Sequence, residues 1–168
     1  MAESGELRAY PQRLHHEIPS WVRVGSVFHV RLRVAGNNVR PLTQPDIAPV
    51  LLGFVRHYHD HGRWHCLLFL LMPDHAHALL AFPREGHMSR VVGEWKHYAA
   101  HKLGIRWQTN YFDHRIRHAS SLEEKHAYIL RNPVVKGLCL REVDWSWVWS
   151  PPTSGENPRG ARVPPADS

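Results

Sequence analysis

The stretch from Leu67 to Leu80 constrains this chain more than any other. An apolar run ends at Pro73-Asp74, and a second apolar run carries His75 and His77. The first reads as a buried strand, Pro73-Asp74 as its turn, and the second as its antiparallel partner. Residues two apart on a strand point to the same face, so His75 and His77 aim at one point. A metal ion needs that arrangement, but the spacing proves little by itself. With 15 His in 168 residues, about one such pair is expected by chance. The run His57-Tyr58-His59-Asp60-His61 supplies more of them.

At 168 residues and 43% apolar composition, the chain makes one domain with a real core. Its longest apolar run, Cys66 to Met72, is strand-sized, well below the ~18 residues of a membrane span. The start, Met1-Ala2-Glu3-Ser4-Gly5-Glu6, is polar and has no secretion-signal core. A cytoplasmic protein with no membrane partner is the expectation. Cys66 and Cys139 both sit in apolar surroundings and read as small core residues in a reducing compartment.

The net charge is +6 with the histidines counted as neutral. Basic residues are spread among Trp95, Tyr98, Trp107, Tyr111 and Phe112. Cations track a phosphate backbone, and aromatic rings stack on bases. A basic protein whose aromatics are simply its core has the same composition, so charge leaves the question open.

Along the chain, residues 1–20 read as an N-terminal arm, 21–149 as the folded domain and 150–168 as a disordered, Pro- and Gly-rich tail. Val27 to Val34 alternates, marking a strand whose wet face carries Arg31 and Arg33. Thr43 or Asp46 can cap a helix with the stripe Ile47, Leu51, Phe54 and Tyr58, provided Pro49 lies in its first turn. After the strands Trp64–Met72 and Ala76–Phe82, a helical stripe runs from Met88 to Leu103 and stops at Gly104. Its outer face shows Arg90, Lys96 and Lys102, a pattern that a solvated face explains as well as a ligand site does.

Trp107 to Arg117 gives a strand with a loop. Ser121-Leu122-Glu123-Glu124 has the form of a capping box, opening a helix that should end near Asn132-Pro133. Val134 to Leu140 adds a further short apolar element. The order strand, helix, strand, strand, helix, strand predicts a ferredoxin-like α+β fold, an antiparallel sheet with helices on one face. The last helix is an addition to it.

On that helix Tyr128 and Asn132 are four apart and share a face. Brought to the His75/His77 strand, two imidazoles and an amide oxygen can hold a divalent ion. Mixed nitrogen and oxygen ligands suit Mn²⁺, and Mg²⁺ if water fills the shell. Such an ion draws charge from a phosphate oxygen while a phenol attacks phosphorus. Singly, each residue has a plainer explanation: a surface His-x-His, a packing tyrosine, a helix-end asparagine.

Together they sit in segments that resemble a known family. Phe69-Leu70-Leu71-Met72-Pro73-Asp74-His75-Ala76-His77, Trp107-Gln108, Tyr111 to Arg117, and Tyr128-Ile129-Leu130-Arg131-Asn132-Pro133-Val134 look like the motifs of single-tyrosine HUH transposases. The subgroup they resemble is the REP-associated tyrosine transposases, of the IS200-like type. The likeness spans roughly residues 20–149, with the motifs in family order. It implies that His75, His77 and Asn132 are metal ligands and that Tyr128, on the added C-terminal helix, is the nucleophile. It also implies a single-stranded DNA substrate beside a hairpin such as a REP palindrome. Arg31, Arg33, Lys96, Arg115, Arg117 and Arg131 are the candidate DNA contacts.

Asp74 stands where family members often have Asn, and either tunes the metal or shapes the turn. The His57/His59/His61 cluster lies outside the resemblance and reads as a solvated helix end. One tyrosine per chain makes one covalent link at a time, so strand transfer needs a homodimer or two successive events. The rival expectations are a hairpin-binding protein of the same descent that does not cut, and an unrelated zinc hydrolase. The second leaves Tyr128 without a role.

Overall fold

The sheet is assembled around β3 (His75–Ala81), the strand that carries the histidine pair. β1 (Val27–Arg33) and β2 (His65–Leu71) flank it, β4 (Phe112–Ile116) pairs with β1, and the two-residue β5 (Val148–Trp149) pairs with β2. The order is β4-β1-β3-β2-β5, and every neighbouring pair is antiparallel. Among the described residues three α-helices complete an α+β fold: α1 (Ala48–Asp60), α2 (Met88–Leu103) and α3 (Ala119–Val135). This computed structural model describes residues 26–84 and 87–152. The expected arm, 1–20, and residues 153–168 of the expected tail lie outside those residues, while Pro151, inside the expected tail of 150–168, is buried.

Strand alternation sorts the side chains into two cores. Ala76, Ala78 and Leu80 of β3 join Val30, Leu32, Phe69 and Leu71 against Leu51 and Val55 of α1 and Val92, Trp95 and Ala99 of α2. The small alanines of β3 leave room for aromatic bulk, and Phe69 and Trp95 meet with ring centres 5.3 Å apart. On the opposite face Leu68, Leu70, Leu79 and Ile116 pack against Leu122 and Ile129 of α3. A β-bulge between Cys66 and Leu68 resets the alternation of β2. It leaves Cys66 with the first core and both Leu67 and Leu68 with the second. The helices of the ferredoxin-like unit therefore share one face, and the added helix α3 covers the other.

Several local expectations are corrected. Neither Thr43 nor Asp46 caps α1: Ile47 holds the N-cap position without a side-chain bond. Asp46 instead accepts two hydrogen bonds from Arg40. Ser121 opens no capping box, because α3 begins earlier, at Ala119, with His118 as an uncapped N-cap residue. Nor does α3 stop at Asn132-Pro133. It continues to Val135 with Pro133 inside it. Near a helix end the proline removes only one N–H, and Lys136 N still donates to Asn132 O and Leu138 N to Pro133 O.

The expected apolar element at 134–140 does not form: Leu140 is 93% exposed. A short strand forms further on, at β5. There the backbone N–H of Leu71 donates to Trp147 O, and the Trp145 indole donates to Leu71 O.

Candidate active site

His75 and His77 leave β3 on the face that α3 covers, and both are buried. Their Nε2 atoms lie 3.1 Å apart with the rings at 84°. At that separation the two Nε2 lone pairs can be shared by one ion. Two imidazole nitrogens suit a divalent ion that takes its remaining ligands from oxygen atoms.

Each imidazole is held through its other nitrogen. His75 Nδ1 lies 2.6 Å from an Asp74 carboxylate oxygen. A carboxylate accepts, so His75 donates from Nδ1 and keeps its Nε2 lone pair for a ligand. Burial alone would raise the Asp74 carboxyl, but the His75 hydrogen bond and charge outweigh it and lower it. His77 Nδ1 lies 3.0 Å from Nε2 of His29, with the rings stacked 5.2 Å apart. Burial, then the neighbouring His75, His29, Arg31 and Lys125, pushes His77 down to about 3. Burial, then Lys125, Arg31 and His114, pushes His29 down to about 4. Both are neutral imidazoles at neutral pH, as ligation requires.

His29 was not singled out from the sequence. Its signal is its place in the alternating strand, two residues from Arg31 and on the same face. Strand pairing sets Arg31 directly beside His77 and Arg33 beside His75.

Tyr128 comes to the pair from α3. Its ring centre is 6.2 Å from that of His77, nearly perpendicular to it, and the residue is 52% exposed. A packing tyrosine on this helix would be covered, as Ile129 next to it is. The Lys125 ammonium stands 4.9 Å from the Tyr128 ring centre. Asn132 is buried one turn further along, and its amide nitrogen donates to Tyr128 O at 3.2 Å. The amide oxygen takes no part in that bond. Among the described residues no group of three or more His, Cys, Asp or Glu is placed to hold a metal. A metal at this pair therefore needs an amide or external oxygens to complete its shell.

The basic residues divide. Arg31 and Arg33 line a cleft of about 320 Å³ with Gln108, Asn110, Tyr111 and Phe112. Arg115 and Arg117 line a second, of about 220 Å³, together with Lys125. Lys96 turns away from both uses: its ammonium donates to the Gln108 and Thr109 carbonyls, and burial lowers its pKa. Arg131 lies 3.8 Å from Glu142, in the 3₁₀ turn Glu142–Asp144.

The other histidine cluster splits as well. His57 and His61 are exposed and in contact at the end of α1, whereas His59 is half-buried and accepts a hydrogen bond from Cys66 N.

A scan of protein-family models gives no match to this chain. No curated protein matches it either. Solved structures do. One is a REP-associated tyrosine transposase bound to a REP hairpin, at TM-score 0.64 and 18% identity, over 89% of this chain and 99% of that one. This chain has the fold of that transposase. A crystal structure described as a "putative transposase" from Deinococcus radiodurans aligns at TM-score 0.48 and 15% identity, over 67% of this chain and 94% of its own. Among the described residues no helix is long and apolar enough to cross a membrane.

Proposed function

We propose that this chain is a transposase-like enzyme that nicks and rejoins single-stranded DNA beside a hairpin, with Tyr128 as its nucleophile. One observation carries the reading: an exposed tyrosine ring stands 6.2 Å from a buried histidine whose Nε2 is paired at 3.1 Å with that of a second. A fold shared with a transposase bound to a REP hairpin supports hairpin DNA as the partner.

His75, His77 and Asn132 would hold Mg²⁺ or Mn²⁺, which when bound polarises a non-bridging phosphate oxygen. The chain's own residues do the rest. Asp74 and His29 fix the two imidazoles so that their Nε2 atoms face the phosphate site. Lys125, Arg31 and Arg33 supply positive charge around that site. The Tyr128 phenol oxygen attacks phosphorus, and the bond from phosphorus to the 3′-oxygen of the preceding nucleotide breaks. A phosphotyrosine forms, and the phenol proton ends on the departing 3′-hydroxyl. Attack by a free 3′-hydroxyl reverses the step and joins strands, in a second subunit or in a second event on the same one.

Incubation with a labelled single-stranded hairpin library and Mn²⁺ tests the reading. A detergent-resistant protein–DNA adduct is expected, and it should require both the divalent ion and an unpaired strand. Binding without an adduct would make the chain a hairpin-binding protein that does not cut.

A further inference from the structure

On the same face, Gln108, Asn110, Tyr111 and Phe112 have no role in the chemistry above, though they line one cleft with Arg31 and Arg33. We propose that the cleft formed by the C-terminal half of β1 and the segment Gln108–Phe112 that leads into β4 receives one unpaired nucleotide of the DNA strand, adjacent to the phosphate attacked by Tyr128. Its base lies against Phe112 and its phosphate on Arg31 and Arg33. This inference rests on the proposed function and names how that site reads its substrate.

The register sets the distance. Arg31 pairs with His77 on one side and with Phe112 on the other, so Phe112, Arg31 and His77 form one row across three strands. Two strand spacings separate Phe112 from His77, roughly 10 Å, which is within reach of a neighbouring nucleotide.

The lining has the chemistry of a single-stranded nucleic-acid subsite. Phe112 leaves 49% of its surface in water on an edge strand that is otherwise polar up to Ile116. The ring is held in place: His29 meets it edge-on at 6.0 Å, and the Arg31 guanidinium lies 5.4 Å from its centre. An exposed, fixed ring beside a guanidinium is a stacking platform for a base of any kind. Asn110 and Gln108 bring amide side chains, which can donate to and accept from a base edge.

The cleft is also preformed. Gln108 N donates to Arg33 O at 2.9 Å, Ala35 N to Arg106 O at 2.7 Å, and Trp107 bridges to Val34. From the far side of the sheet edge, Lys96 ties down the carbonyls of Gln108 and Thr109. This explains why Lys96 points inward. A loop fixed before binding does not lose ordering entropy when the base arrives.

The test uses fluorescein-labelled hairpins with six-nucleotide single-stranded flanks on either side, bound in EDTA so that nothing is cut. Each flank position in turn is made abasic. One position should be sensitive, its abasic form binding wild-type protein about tenfold more weakly. Phe112→Ala should weaken the intact flank by a similar factor and add no further loss at that one position. Phe112→Trp, which keeps a ring, should restore both affinity and position sensitivity, separating stacking from any effect on folding. Additive losses, or a Phe112→Ala protein with wild-type affinity, would overturn the nucleotide subsite. If that silent variant still forms the Tyr128 adduct, the enzyme reading survives and only the subsite falls. If wild-type protein binds none of the hairpins, both fall.

Discussion

His29 Nε2 lies 3.0 Å from Nδ1 of His77, two buried imidazoles stacked across neighbouring strands. For His77 to offer Nε2 as a ligand, its Nδ1 must carry the proton and donate it to His29. His29 is thus a positioning residue for the proposed metal site. Loss of such an outer partner typically weakens metal binding about 10- to 100-fold. His29→Ala should do so in Mn²⁺ titrations followed by electron paramagnetic resonance. Unchanged affinity would reduce His29 to a packing residue.

Asp74 holds His75 in the same way, at 2.6 Å. Asp74→Asn keeps an oxygen acceptor at that place, whereas Asp74→Ala does not. Mn²⁺ affinity should therefore fall only slightly in the Asn variant and about tenfold or more in the Ala variant. Equal losses in both would show that the carboxylate charge, rather than the hydrogen bond, matters.

Acid should destabilise the fold over a defined window. His77 and His29 titrate at about 3 and about 4 in the folded chain but near 6.5 when unfolded. Between those values the unfolded chain binds more protons, so stability is complete above about 6.5 and is lost as pH falls towards 3–4. Urea midpoints from pH 7.5 to 4 should decline, and His29→Gln should flatten the slope. A neutral-pH midpoint that persists unchanged to pH 4 would contradict this. From the sequence alone, metal affinity is expected to fall as pH drops through about 6. The depressed value of His77 carries its part of that loss to lower pH.

Gly104 ends α2 in the left-handed region, at φ 68°, with nothing within 4 Å of an added Cβ. Gly104→Ala therefore meets backbone strain without a clash. It should lower unfolding free energy by about 1 kcal/mol while leaving DNA binding unaffected. A larger loss would mean that the α2 terminus also packs in a way the structure does not show.

Much of this architecture was legible because it rests on short-range rules. Alternation gives β1, the Pro73-Asp74 turn gives the hairpin, and a 3.6-residue stripe ending in glycine gives α2. The parts that were not legible depend on tertiary context. Asp46 has the chemistry of a cap but finds Arg40 instead. Pro133 resembles a stop signal but sits where a helix can spare one donor. β5 is two residues long and is recruited by its pairing with β2, so no periodicity announces it.

At the site, the same-face rule brings His75 to His77, and Asn132 lies one turn beyond Tyr128, bonded to its backbone carbonyl. His29 becomes visible only once β1 is known to lie beside β3.

The nucleophile itself is the most direct test. Tyr128→Phe removes one hydroxyl from a half-exposed ring, so folding and hairpin affinity should persist. With Mn²⁺ and hairpin DNA, wild-type protein should yield a covalent adduct that survives boiling in detergent and maps by mass spectrometry to the peptide holding Tyr128. The Phe variant should yield none. An adduct formed by the Phe variant at the wild-type rate, or mapped to Tyr98 or Tyr111 in the wild type, would contradict the assignment.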